Sequence, residues 1–198
     1  MLNMNKIIAA ILILLILPFV IIVSLLIKLK YPGPLFYSQI REGKNGKPFK
    51  IIKLRTMVSN ANLILEQLLK SDAALAKSWA ETGVLKNDPR IAGMLGRISR
   101  QLSIDEIPQL INVLRGEMAF VGPRPLEITS VEALHPKTRT LRHSVLPGIT
   151  GLMQIKFRSA SIRQMMFYDR IYIKNQSIKL DTYILCQTIV AIYKRTGA

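Results

Sequence analysis

From its N-terminal end the chain runs through residues 7–27 without a charge, between Lys6 and Lys28-Leu29-Lys30. About 20 apolar residues suffice to cross a bilayer as a helix, so this segment predicts a membrane helix. A cleavable signal would have a shorter apolar core and a small-x-small site before the polar flank; none is present, and the segment is expected to be retained. Pro18 lies inside it, removes one backbone hydrogen bond and predicts a kink or break. The pattern leaves open a kinked span and a re-entrant hairpin with both ends on one membrane face. Tyr31-Pro32-Gly33-Pro34 then predicts a rigid turn.

Beyond this turn the hydrophobic period changes. Residues 35–41 and 49–55 alternate as short strands around Gly43-Lys44-Asn45-Gly46, a hairpin signal. On the second strand the period of two puts Lys53 and Arg55 on one face, either as an exposed basic edge or as anion ligands. Residues 61–80 place Leu65, Leu68, Leu69, Leu75, Ala76 and Trp79 at helical spacing, with a break expected near Ser71-Asp72; Trp79 reads as core or as a headgroup-level anchor. Asn87-Asp88-Pro89-Arg90 is a turn. Residues 91–100 read as a short basic helix, 109–114 as another, and 167–197 as mainly helical. Val121-Gly122-Pro123-Arg124-Pro125 and Pro147-Gly148-Ile149-Thr150-Gly151 are stiff loops, the first presenting one guanidinium at low ordering entropy. The expected fold class is α+β, mainly helical: one domain with a membrane helix, a small β-hairpin and interfacial amphipathic helices.

Charge sharpens this picture. The 198 residues hold 28 Lys and Arg against 12 Asp and Glu, a net charge of +16, with 49% hydrophobic residues. That is too apolar for a disordered nucleic-acid tail and points to anionic lipid or phosphorylated substrates. Aromatic residues make up 7% and show no stacking pattern, which argues against a nucleic-acid partner. Basic residues concentrate after the apolar segment, so the positive-inside rule places the globular part in the cytoplasm. One cysteine, Cys186, excludes an internal disulfide, and two histidines, His135 and His143, leave no Cys/His metal cluster; both histidines read as surface residues. Walker, Rossmann, nucleophile-elbow and H-E-x-x-H patterns are missing.

Against this basic background Ser103-Ile104-Asp105-Glu106-Ile107-Pro108-Gln109-Leu110 holds two adjacent carboxylates. Ser103 and Glu106 match a capping box. Pro108 argues against its simple form, because a helix capped at Ser103 would use the Pro108 N–H. In either case Asp105 falls at a helix start, where unpaired amides favour phosphate.

The ordered motifs Gly33-Pro34-Leu35-Phe36, Lys53-Leu54-Arg55-Thr56-Met57, Asn87 to Arg90, Ser103 to Leu110, Asn112 to Met118, Val121 to Pro125 and Pro147 to Gly151 resemble the bacterial sugar transferase family, the monotopic phosphoglycosyl transferases. The resemblance covers nearly the whole chain. It implies a membrane segment over 1–30, re-entrant at Pro18, and a catalytic domain over 31–198 at the cytoplasmic face of the bacterial inner membrane. It also implies transfer of a sugar 1-phosphate from a UDP-sugar to polyprenyl (undecaprenyl) phosphate with Mg2+ and release of UMP, alongside contacts with anionic membrane lipids. Asp105 aligns with the family nucleophile, and an ionised carboxylate needs no base to attack phosphorus. Glu106 would assist the metal or the acceptor, with Asp105 and Glu106 together as metal ligands. Lys53, Arg100 and Arg124 match phosphate-contacting positions; Gln154 and Arg158 match the nucleotide-sugar end. Three positions depart from the pattern: Leu17 before Pro18 in place of Ser, Leu146 in place of a basic residue, and Phe157 in place of the glycine before Arg158. The helical insert resembles hexose-transferring members and favours galactose or glucose. A catalytically impaired scaffold of the same fold is the alternative.

Overall fold

A computed structural model describes residues 4–85, 87–157 and 160–194. Helix α1 (Met4–Lys30) is continuous, Pro18 included, so any bend there occurs inside one helix. Ala9, Val20, Val23, Ser24 and Ile27 form its buried stripe. Ile7, Ile11, Leu14, Leu15, Phe19, Ile22, Leu25 and Leu29 are exposed. Ala9, near the start, packs with Phe49, Ile51, Val113 and Met118. Val20, Val23 and Ile27 pack with Leu54 and Ala92. The helix therefore lies lengthwise on the domain, with both ends of a rod about 40 Å long held by it.

Two contacts fix the exit from α1. Ser24 Oγ donates to the Leu35 carbonyl at 3.1 Å. The buried Arg55 guanidinium donates to the Tyr31 and Pro32 carbonyls and to Ser59. Gly33 has φ +143°, and a Cβ there would meet Arg55 Nη1 at 2.4 Å, so glycine is required for the chain to pass the guanidinium. Arg55 serves the turn, and Lys53 points elsewhere. The shared face expected for the two cations ends with the strand, and with Arg55 buried and Lys53 largely covered by its ion pair there is no exposed basic edge.

Strands β1 (Phe36–Glu42) and β2 (Pro48–Leu54) form the antiparallel hairpin, with Tyr37 opposite Lys53, Gln39 opposite Ile51 and Arg41 opposite Phe49. Its turn uses Asn45 (φ 58°) and Gly46 (φ 71°), left-handed at both centres as a tight hairpin demands. Helices α2 (Ala61–Ser71) and α3 (Ala73–Thr82) break at Asp72, whose carboxylate accepts from the Ala74 and Leu75 amides and caps α3. Trp79 lies under the Arg90 guanidinium at 4.9 Å, and Arg90 pairs with Asp88 in a buried ion pair. The tryptophan thus anchors the insert to the turn over residues 87–90.

Helix α4 (Gly93–Gln101), a 3-10 segment (Ile104–Gln109) and α5 (Leu110–Arg115) follow, ending at left-handed Gly116. A short parallel pair, β3 (Ala119–Val121) and β4 (Gly148–Thr150), joins the two stiff loops. The sequence reading did not contain it, because three residues give no usable period. Between the strands lie α6 (Ile128–Glu132) and α7 (Pro136–His143), also unanticipated in a strongly polar stretch. Helices α8 (Ile162–Lys174) and α9 (Ile178–Tyr193) close the domain. They grip β3 and β4 through the Tyr172 hydroxyl, which donates to the Val121 carbonyl at 3.1 Å, and a Thr150–Thr188 hydrogen bond of 2.8 Å. The class is α+β and mainly helical.

Candidate active site

Pro108 decides the backbone of the carboxylate pair. Without an N–H it cannot donate to the carbonyl four residues back, and residues 104–109 wind as a 3-10 helix. Ser103 enters this segment left-handed (φ 55°) and makes no side-chain cap. The capping box that Ser103 and Glu106 match is absent, as Pro108 argued. Only the Glu106 amide returns, to the Ser103 carbonyl at 3.1 Å, while the Glu106 carboxylate is directed to another element. At three residues per turn, Asp105 and Glu106 diverge by about 120°. A left-handed non-glycine residue beside a candidate nucleophile stores local strain, as functional sites often do.

Glu106 Oε1 accepts from Lys53 Nζ at 2.8 Å and lies 3.6 Å from Arg124 Nη1. Lys53 reaches it because β2 is fixed along its edge. Asn112, fully buried on α5, accepts from the Ile52 amide at 3.1 Å and donates to the Lys50 carbonyl at 2.7 Å. Its side-chain amide thus replaces a peptide unit of a neighbouring strand. Its remaining N–H donates to Glu117 Oε2 at 2.6 Å.

Arg124 is set by glycine contacts. The parallel strands approach so closely that a Cβ on Gly148 would lie 2.1 Å from the Gly122 nitrogen, and one on Gly122 would lie 2.5 Å from the Leu146 carbonyl. The Gly148 amide also donates to the Pro123 carbonyl at 3.0 Å. Arg142 of α7, ion-paired with Asp169 of α8, donates to the Arg124 carbonyl. Two prolines, a glycine seam and a buried arginine together hold one guanidinium over Glu106.

The carboxylates respond differently to this setting. Burial raises the Asp105 pKa to about 6, the Glu106 charge adds to the rise, and Lys53, Arg100 and Arg124 oppose it. Glu106 is also penalised by burial, but contact with Lys53 and then Arg124 holds it well below the usual carboxylate range. Arg100, from the last turn of α4, acts on both acids. Asp105, Glu106, Lys53, Arg100 and Arg124 are thus brought together from three elements and one loop: a carboxylate in a cationic shell, suited to meeting a phosphorus whose oxygens the cations hold.

A cleft opens beside Lys53, Glu106 and Arg124, lined also by Gln109, Gly148 and Arg41, among others; Asp105 and Arg100 do not line it. Gln109 and Arg41 were not singled out from sequence. For Arg41 the signal was there: it alternates with Gln39 on the strand face shared with Lys53. Gln154 does not line this cleft; it is half-buried on the turn after β4, and its amide has no hydrogen-bond partner. Arg158 lies outside the described residues. Phe157 packs on Tyr168 of α8 with ring centroids 5.4 Å apart, and neither it nor Leu146 lines the cleft. His135 caps α7, its Nδ1 accepting from the Lys137 amide at 3.3 Å. His143 is not a free surface residue as expected: its Nε2 lies 3.2 Å from Glu42 Oε1. Among the described residues no group of three or more His, Cys, Asp or Glu side chains is gathered for a metal.

Comparison with known proteins joins this geometry to a family. The model of the family described as bacterial sugar transferase matches residues 3–195. The chain belongs to the bacterial sugar transferase family. The exopolysaccharide production protein ExoY of Sinorhizobium fredii is 37% identical over 91% of this chain and 80% of its own length. The UDP-galactose-lipid carrier transferase of Erwinia amylovora is 38% identical over 93% of this chain and 38% of its own length. The undecaprenyl-phosphate galactose phosphotransferase of Salmonella typhimurium is 38% identical over 84% of this chain and 35% of its own length. This sugar transferase therefore spans most of the first relative and little more than a third of the other two.

Proposed function

We propose that this chain transfers a sugar 1-phosphate from a UDP-sugar to polyprenyl (undecaprenyl) phosphate, releasing UMP through a covalent aspartyl phosphosugar. It does so at the cytoplasmic face of the inner membrane, as the first membrane step of glycan or polysaccharide assembly. The observation that carries the reading is the buried Asp105 carboxyl next to Glu106, which Lys53 and Arg124 hold in ion pairs, with Arg100 adding its charge to both acids. The Erwinia relative is named for transfer between UDP-galactose and a lipid carrier, and the Salmonella relative for galactose phosphotransfer to undecaprenyl phosphate. Those names also support galactose as the first sugar to try.

Asp105, once ionised, attacks the sugar-bearing phosphorus. Lys53, Arg100 and Arg124 stabilise the charge spreading over its oxygens, and the lipid phosphate then displaces the aspartyl group. Mg2+ fits the donor set. Glu106 Oε1 is occupied by Lys53 and Arg124, which leaves the other Glu106 oxygen and the Asp105 carboxylate as hard ligands; Mg2+ uses one or two carboxylates plus substrate oxygens. When bound it supplies charge neutralisation at the phosphates. Gln154 and Arg158 remain assigned to the nucleotide-sugar end. Packing of both ends of α1 on one domain argues against a straight span, whose far end would stand about 30 Å away across the hydrocarbon; re-entrance at Pro18 rests on the family resemblance and takes the form of a bend inside a continuous helix. Its exposed apolar side, and the basic surface around it, would then meet anionic lipid. The scaffold alternative, which rested on Leu146 and Phe157, gains nothing from their positions outside the cleft.

The test is UMP release from UDP-galactose, UDP-glucose and their N-acetylated counterparts with polyprenyl phosphate and Mg2+. Wild type should turn over at least one of them and Asp105→Asn none. Retained turnover in the variant sinks the nucleophile assignment, and no phosphosugar adduct with any donor sinks the enzyme reading.

A further inference from the structure

The cleft beside the carboxylates holds a cation that the site as described does not use. Arg41, on β1, is four strand residues along from the level of Lys53, about 13 Å by strand rise, and on the same face. Both side chains line the one cleft, as does Arg124. The Arg41 guanidinium is mostly covered, 18% exposed. Its Nη2 donates to Gln39 Oε1 at 2.6 Å and lies 3.3 Å from Glu127 Oε1, a carboxylate that is itself half-exposed. Its Nε is buried and has no hydrogen-bond partner. A buried donor without an acceptor is costly to keep, and here it lies in the wall of a cleft that already gathers anion-binding groups. Arg41, Lys53 and Arg124 bring three positive charges to this cleft, while Lys53 and Arg124 share the one carboxylate of Glu106.

We infer that Arg41 is a substrate-binding residue that holds the phosphate of the leaving nucleoside monophosphate. The inference rests on the phosphoglycosyl transfer proposed above. In that step an Asp105 oxygen forms a bond to the sugar-bearing phosphorus, the bridging P–O bond opposite it breaks, and the electron pair departs on the nucleoside monophosphate oxygen. In-line displacement puts the leaving phosphate on the side of the phosphorus away from Asp105. Arg124, 3.6 Å from Glu106 Oε1, is the inner cation, in reach of the transferring phosphorus, and Arg41, four residues along the strand from the level of Lys53, is the outer one, in reach of the leaving group. Once released from Gln39 and Glu127, the guanidinium offers phosphate the fork geometry that binds two oxygens at once and gives its Nε the acceptor it lacks. Glu127, at the solvent side, acts as a resting counter-ion that phosphate replaces.

Titration calorimetry of the full chain in detergent micelles tests the assignment, with UMP, uridine and polyprenyl phosphate as separate probes against wild type, Arg41→Ala, Arg41→Lys and Asp105→Asn. Loss of a hydrogen-bonded charge contact predicts UMP binding roughly ten- to a hundredfold weaker in Arg41→Ala. Arg41→Lys should be intermediate, and uridine should bind both variants as it binds wild type. Asp105→Asn should keep UMP binding while losing turnover. Equal UMP affinity in Arg41→Ala and wild type overturns the proposal, as does a parallel loss of uridine affinity, which marks a distorted fold. Weakened polyprenyl phosphate binding with unchanged UMP binding overturns it in favour of the acceptor phosphate. A wild type that binds no UMP overturns both this inference and the proposed reaction. Tight wild-type binding with an unaffected Arg41→Ala overturns this inference alone.

Discussion

Replacing Asp105 by Asn should make this protein more stable while abolishing its turnover. Asp105 is 8% exposed, and burial with the adjacent Glu106 charge raises its carboxyl from the ordinary 3.8 to about 6. A shift of roughly two units at about 1.4 kcal/mol each means that ionised Asp105 costs the fold about 3 kcal/mol. The folded state holds this proton more tightly than the unfolded chain. The favourable contribution of the protonated acid is therefore complete below pH 3.8 and is lost as pH rises to about 6. Asn carries no charge, so the gain from Asp105→Asn should be small near pH 4, grow between pH 4 and 6 and level off above. For a chain of this size about 3 kcal/mol corresponds to roughly 6 to 12 °C in melting temperature. Thermal melts of the two proteins in the same detergent, without divalent cations, at half-unit pH steps from 4 to 8 provide the assay. An Asn variant no more stable than wild type at pH 7.5, or a gain that does not depend on pH, refutes the electrostatic account of the site.

Two further perturbations probe how the cations are positioned. Asn112→Ala removes the partners of the Ile52 amide, the Lys50 carbonyl and Glu117. At about 1 to 3 kcal/mol per unsatisfied buried group it should lower stability by 3 kcal/mol or more and raise the KM for the UDP-sugar; denaturant melts and steady-state kinetics would show both, and a wild-type midpoint rules out the strand-edge role. Gly148→Ala forces a Cβ into the Gly122 nitrogen and the Thr150 carbonyl, neither of which can rotate away. It should cost roughly 1 to 3 kcal/mol and depress kcat by displacing Arg124, and normal turnover would show that the glycine seam does not set that loop.

Local chemistry was legible in the sequence wherever the determining residues are neighbours. The hairpin follows from strand alternation around Asn45-Gly46, the break between α2 and α3 from a capping Asp72, and the end of α5 from Gly116. The length and apolarity of residues 7–27 and the carboxylate pair among basic flanks were likewise visible. The sequence left a choice open, or pointed the wrong way, where one local pattern had two continuations. Ser103 and Glu106 satisfy a capping box on paper, yet Pro108 winds the segment into a 3-10 helix and Lys53, 53 residues away, claims the Glu106 carboxylate. Lys53 and Arg55 share a period, yet β2 stops at Leu54 and Arg55 turns to the carbonyls that end α1.

The sequence by itself determined which chemical groups exist and which short segments carry them: a membrane helix, a hairpin, two stiff loops and one pair of acids in a cationic chain. Tertiary structure alone decided which groups meet. It placed Asn112 as a surrogate strand along β2, Arg142 behind the Arg124 loop and Arg41 in the wall of the cleft. It also laid α1 along the domain with both ends held. The physical reason is that periodicity and turn chemistry act over a few residues, whereas burial, ion pairing and the pKa of Asp105 depend on atoms brought together from segments tens of residues apart.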